Sequence, residues 1–192
     1  MPPTNFPINF NLIRQTIVRM VQYNLKLDTN HVIMEEPETQ NWPRPSLPYV
    51  SLKITTPAAK TGDDDKRNLV DSMGNPTDVW NSGGQRKMTV EFNCYAQTHE
   101  DAYNYGALLQ ASLDLENVQS YLRENGIAVW IIGNLADLSA LLNTGYEGRS
   151  HLDCTFGIAS NITSSLGEMD TVTVDGAIDT NAGIVNTTTN AP

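Results

Sequence analysis

His151 and Asp153 stand two residues apart in an alternating stretch, so a strand there puts both on one face, where a carboxylate can orient an imidazole for proton transfer. Such a pair needs a nucleophile to become a hydrolytic site. The nearest hydroxyl, Ser150, is one position out of step and falls on the opposite face, so the pair reads as exposed strand residues. Cys94 and Cys154 are the two thiols, and both occupy apolar positions of expected strands. A free cysteine in that setting behaves as a small buried hydrophobe. Asp63, Asp64 and Asp65 gather three carboxylates, but consecutively, without the alternate spacing and closing glutamate of a calcium loop. That run reads as solvated charge. The Gly-x-Gly-x-x-Gly, Walker A, His-Glu-x-x-His and Cys-x-x-Cys patterns do not occur. The expectation is a chain with no catalytic residue, no metal ligand set and no cofactor.

Bulk properties narrow the class further. The 192 residues carry 12 Lys and Arg against 22 Asp and Glu, a formal net charge of −10, which opposes adhesion to phosphate backbones or anionic membranes. Tyr103, Tyr105 and Tyr121 do not make a stacking platform for single-stranded nucleic acid, because the charge around them is negative. No basic-then-apolar leader opens the sequence, and the longest apolar run, Ile127 to Ile132, is too short to span a bilayer. A soluble protein made in a reducing cytoplasm is expected.

The elements that must position these residues follow from periodicity. Ile13, Ile17, Met20, Val21 and Leu25 recur at steps of three and four and predict an amphipathic helix. His31 to Glu35 predicts a short strand, and the prolines of 43–48 hold an extended entry to Tyr49. Alternation then predicts three strands with even positions inward and odd positions wet: Val50, Leu52 and Ile54; Met88, Val90, Phe92, Cys94 and Ala96; Leu152, Cys154, Phe156 and Ile158. Between them, Thr98 caps a helix whose stripe is Ala102, Tyr105, Leu108, Leu109 and Ser112. The pattern continues through Leu115, Val118 and Leu122 to Gly126, with a kink or break near Asp114. Ile127 to Ile132 reads as a central strand or one covered on both faces, with Trp130 in the core, and Asp137 to Asn143 as one more helical turn. The fold class is α+β: a single mixed or antiparallel sheet with helices packed on one face, one long inserted loop and a flexible C-terminal tail.

Domain organisation is read as one α+β domain over 1–176 and a flexible segment over 177–192, rich in Asn and Thr. Within the domain, Pro57 to Gln85 is far longer than an ordinary connection and is left open between a long loop and a hairpin arm. Trp42 and Trp80 sit in polar surroundings, either as anchors for a neighbouring chain or folded back on their own domain.

Order and spacing of these pieces carry a resemblance. The first helix, the Pro-Tyr-Val-Ser-Leu strand at Pro48 to Leu52, Arg-Lys-Met-Thr-Val-Glu-Phe at Arg86 to Phe92, an Ala- and Leu-bearing helix, and Glu-x-Arg-x-x-Leu-Asp at Glu147 to Asp153 follow one another. A short alternating run, Met169 to Val174, comes after. Over roughly residues 8 to 176 the chain resembles the tail-terminator, or neck, proteins of long-tailed bacteriophages. The resemblance implies a structural virion protein, commonly a six-fold ring, that caps the tail tube, ends its polymerisation and joins the head connector while DNA passes without sequence-specific binding. It implies no membrane partner, and a place in the neck of the virion after assembly in the host cytoplasm. Trp42, Trp80, Asp63, Asp64, Asp65, Glu147 and Arg149 are the candidate interface residues, Arg149 pairing either with a neighbouring subunit's carboxylate or with Glu147. The sequence departs from the resemblance at Gly148 and Ser150, where bulkier or alanine-like residues are expected. Competing readings are a tail-tube or head-completion protein and, from another class, a small cytoplasmic enzyme using Cys94, Cys154 or His151.

Overall fold

A computed structural model describes residues 7–35, 43–71, 73–142, 145–165, 176–180 and 183–187. Helix α1 spans Phe10–Leu25, started by the Asn9 side chain, whose oxygen accepts the Leu12 N–H at 3.0 Å, and stopped by Lys26 in the left-handed region. Its buried face is the predicted one: Ile13, Ile17, Met20, Val21 and Leu25. Strand β1 (Val32–Met34) follows a 3-10 turn, and β2 (Tyr49–Lys60) lies parallel to it. Next come β3 (Asp65–Val70), β4 (Pro76–Ala96), α2 (His99–Ser112), α3 (Glu116–Glu124), β5 (Ile127–Ile132), β6 (Ala136–Asp137), β7 (Ala140–Leu142) and β8 (Gly145–Ser165). Strands β9 (Gly176–Thr180) and β10 (Gly183–Thr187) close the order.

The class is α+β with a mixed sheet, its strands running β1-β2-β4-β8-β5. Even positions of β2, β4 and β8 bury Val50, Leu52, Met88, Val90, Phe92, Cys94, Leu152, Cys154, Phe156 and Ile158. The helices cover that face with Leu109, Val118, Leu122 and the α1 stripe, so one layer of helices and one sheet share a single core. The break expected near Asp114 separates α2 from α3, and Gly126, at φ +74°, ends α3. In α2 the buried stripe is Ala102, Gly106, Leu109 and Ser112, whereas Leu108 is exposed. The expected stripe therefore turns by a fraction of a residue, because Gly106 lets the helix approach the sheet.

Two further expectations are corrected. The Ile127–Ile132 run is not central: β5 is the last strand on the path through the sheet, and Trp130 is 40% exposed. Its ring lies against Gly157, where a side chain would overlap the indole, so an apolar residue finds cover without entering the core. Residues 137–142 of the stretch expected as a helical turn are not helical, and Asn143 lies outside the described residues. The Asp137 carboxylate accepts the Ser139 N–H at 2.8 Å, an Asx turn that breaks the chain between β6 and β7, both paired antiparallel with β8.

The sequence expectation places one boundary, at 176/177; the structure divides the chain into two compact units, 1–65 with 82–162 and 66–81 with 163–192. All the clustered core residues above belong to the first. The segment Pro57–Gln85 carries the end of β2, all of β3 and the first part of β4, and β3 pairs with β4. The second unit takes its share of that hairpin arm. It also takes β9 and β10, an antiparallel pair within the stretch expected to be flexible. Met169 to Val174 and residues 188–192 lie outside the described residues.

Candidate functional site on the helix-free face of the sheet

Odd positions of β2, β4 and β8 face away from the helices, and alternation alone predicts them wet. Near one end of the strands they are not. Ser51 stands opposite Asn93 and Tyr49 opposite Tyr95, and all four side chains are buried. The two tyrosine rings stack with centroids 4.5 Å apart, and burial pushes the Tyr49 hydroxyl up to about 12. Desolvation raises Tyr95 as well. These rings floor a polar network contributed by distant parts of the chain.

Asn93 is its hub. With 1% exposure, its side-chain oxygen accepts Arg149 Nη2 at 3.0 Å and contacts His151 Nδ1 at 2.9 Å. Arginine can only donate, which fixes that atom of Asn93 as the oxygen and in turn puts a proton on His151 Nδ1. The other ring nitrogen, Nε2, faces Asp153 Oδ2 at 3.2 Å. The pair anticipated from the sequence thus exists, but its imidazole is tied at both nitrogens. Ser150 lies on the helix side, where its hydroxyl donates to the Ala102 carbonyl at 2.6 Å. Ser150 therefore does not join the His151–Asp153 pair. Among the described residues no group of three or more His, Cys, Asp or Glu could hold a metal ion.

Above the rings, Arg44 and Arg149 both approach Tyr95, at 5.6 and 5.4 Å from its centroid, as cation–π contacts. Arg44 donates to Glu147 Oε2 at 3.0 Å, and Ser51 donates to Glu35. Glu147 and Arg149, singled out from sequence, therefore sit in one network yet do not pair with each other. Arg149 turns to Asn93, leaving its buried Nε without a hydrogen-bond partner, and Glu147 turns to an arginine 103 residues earlier. This face therefore carries a hydrogen-bonded array of charged and aromatic groups.

The departures at Gly148 and Ser150 have a structural cause. A Cβ at Gly148 would overlap the Thr98 carbonyl oxygen, and Ser150 fits beneath Gly106. Small residues on β8 seat the start of α2. Each cysteine thiol is buried and pushed up to about 12 by that burial, as inert structural cysteines are.

The other candidates lie elsewhere. Asp64 accepts two bonds from Arg86, at 2.7 and 2.9 Å, which hold its carboxyl below the usual range. Asp63 projects into solvent beside Lys60, and Asp65 opens β3. Trp80, half exposed, belongs to the arm. Trp42 lies outside the described residues. Sequence reasoning passed over Asn93, Ser51, Tyr49, Tyr95, Arg44 and Glu35. The register that sets Ser51 beside Asn93 brings them together, and the sequence carries no signal of it.

The model of the phage neck terminator protein family matches residues 11–186. The chain belongs to that family. A comparison with curated proteins found no match. Neck terminator proteins are structural components of the virion, and their role implies contacts with other head or tail proteins. Among the described residues no helix is long and apolar enough to cross a membrane.

Proposed function

We propose that this protein assembles as a closed ring, commonly of six subunits, at the head-proximal end of a phage tail. There it ends polymerisation of the tube and presents a different upper surface to the head connector. Head-to-tail contacts between identical subunits close into a ring when the rotation between neighbours closes. The observation that carries the reading, given the family, is the organised network at Arg44, Glu147, Arg149 and Asn93. Partly buried, prearranged charges fix register and exclude wrong partners more than they add raw affinity, which suits assembly in a set order. Trp80 and the Asp63–Asp65 turn serve as further contacts in this reading. A net charge of −10 favours DNA sliding through without adhesion. Assembly takes place in the host cytoplasm, with the tail-tube protein and the connector or completion protein as partners.

Native mass spectrometry with negative-stain imaging over a wide concentration range, with and without isolated tails, tests this. Closed rings, or single rings at one end of each tail, are expected. Long stacks would indicate a tube protein instead, and a two-fold dimer indifferent to tails would remove the reading. Arg149→Ala is expected to lower head-to-tail joining; normal joining would exclude Arg149 from the interface.

A further inference from the structure

The arm ends in a rigid turn. Asp71 accepts the N–H groups of Met73 and Asn75 at 2.8 and 2.9 Å, its second oxygen accepts Asn75 Nδ2 at 3.2 Å, and Gly74 takes φ +85°. On this braced tip, Met73 is 85% and Val70 61% exposed. The hydrogen bonds of Asp71 lower the backbone entropy lost on docking, while the exposed Met73 side chain still has its rotamer freedom to lose.

The first unit carries a matching hollow. Between α1 and α3 lies a largely apolar groove of about 440 Å³, lined by Arg19, Met20, Tyr23, Asn24, Val118 and Tyr121. Tyr23 stands 78% exposed at its edge. Charge fits as well. Helix α1 carries Arg14 and Arg19 and no carboxylate, although the chain as a whole is strongly acidic, while the turn itself, residues 71–75, carries Asp71 and no Lys or Arg, with Lys66 and Arg67 further back on β3. Opposite charges steer such an encounter.

We infer that the arm tip of one copy of this chain inserts into the α1–α3 groove of a second copy, with Met73 as the knob and Asp71 toward Arg19. The inference rests on the ring reading, for which it supplies one subunit contact. Tip and groove are different surfaces, so the contact is head-to-tail and propagates from copy to copy.

The test mixes full-length Met73→Cys and Tyr23→Cys proteins under a mild oxidant and follows covalent products on non-reducing gels and by intact mass. Because Cys94 and Cys154 are buried, background reaction is slow. A mixed dimer absent from either variant alone is expected, and the double variant should give a ladder. Oligomers by native mass spectrometry without the mixed dimer would overturn this contact and leave the ring reading standing. A double variant that loses two thiols at monomer size would show the arm folding into its own groove, and overturns it too. Cross-linked pairs in a protein that never forms rings would support the contact and overturn the ring. Met73→Asp is expected to weaken association about tenfold or more with an unchanged melting temperature; unaltered association would remove Met73 as the knob.

Discussion

Asn93 shows how a single amide can hold a surface in one arrangement. Its oxygen serves both Arg149 and His151, so Asn93→Ala leaves two donors without their acceptor. A loss of about 1–3 kcal/mol in urea unfolding is expected, larger than for an ordinary surface substitution. Equal stability would show that the network contributes nothing to the isolated subunit. The cysteines supply a second residue-scale check. With both thiols buried and pushed up to about 12, alkylation of the native protein at pH 8 should be slow and should speed up on unfolding. Fast labelling of folded protein would revive an enzymatic reading. Acid sensitivity also belongs here. Hydrogen bonds from Ser139 and Tyr103 hold Asp137 down to about 2, and Arg86 lowers Asp64. Carboxyls lowered on folding contribute stability above their unfolded value of about 4 and lose it as pH falls through the folded one. Melting temperature should therefore fall between about pH 4 and pH 2, and Asp137→Asn should flatten that fall.

At the scale of elements, the deciding contact is α2 on β8. Gly148 admits the Thr98 backbone and Ser150 bonds Ala102, so the helix start sits closer to the sheet than alternation of large and small residues would suggest. Gly148→Ala must displace the Thr98–His99 backbone and is expected to cost roughly 1–3 kcal/mol, read from the midpoint of chemical unfolding. An unchanged midpoint would mean that α2 moves freely. Both α1 and β8 were legible from periodicity, because each buries one face against a wide neighbour. Strand β5 was not. An all-apolar run looks the same in the middle of a sheet and at its edge, and only the strand order, with Gly157 beneath Trp130, separates the two.

For the whole molecule, the described core residues lie in the first compact unit, and the 177–192 stretch is rich in Asn and Thr and poor in charge. Deleting Ala177–Pro192 should therefore leave the melting temperature nearly unchanged. A fall of more than about 4 °C, roughly 1 kcal/mol in a chain of this size, would show that the segment packs on the core. The same deletion, assayed for joining of heads to tails, asks whether the segment serves assembly instead.

By itself the sequence determined what depends on neighbours along the chain: the face of α1, the inward residues of β2, β4 and β8, the cap at Thr98, the break near Asp114 and the order of pieces that carries the family. Those signals are local, with periods of 2 and 3.6 residues. Tertiary structure alone decided which odd positions escape solvent and what they meet. Glu147 finds Arg44 across 103 residues of sequence, and Asn93 finds His151 across 58. Register and strand order create those meetings, and no periodicity encodes them.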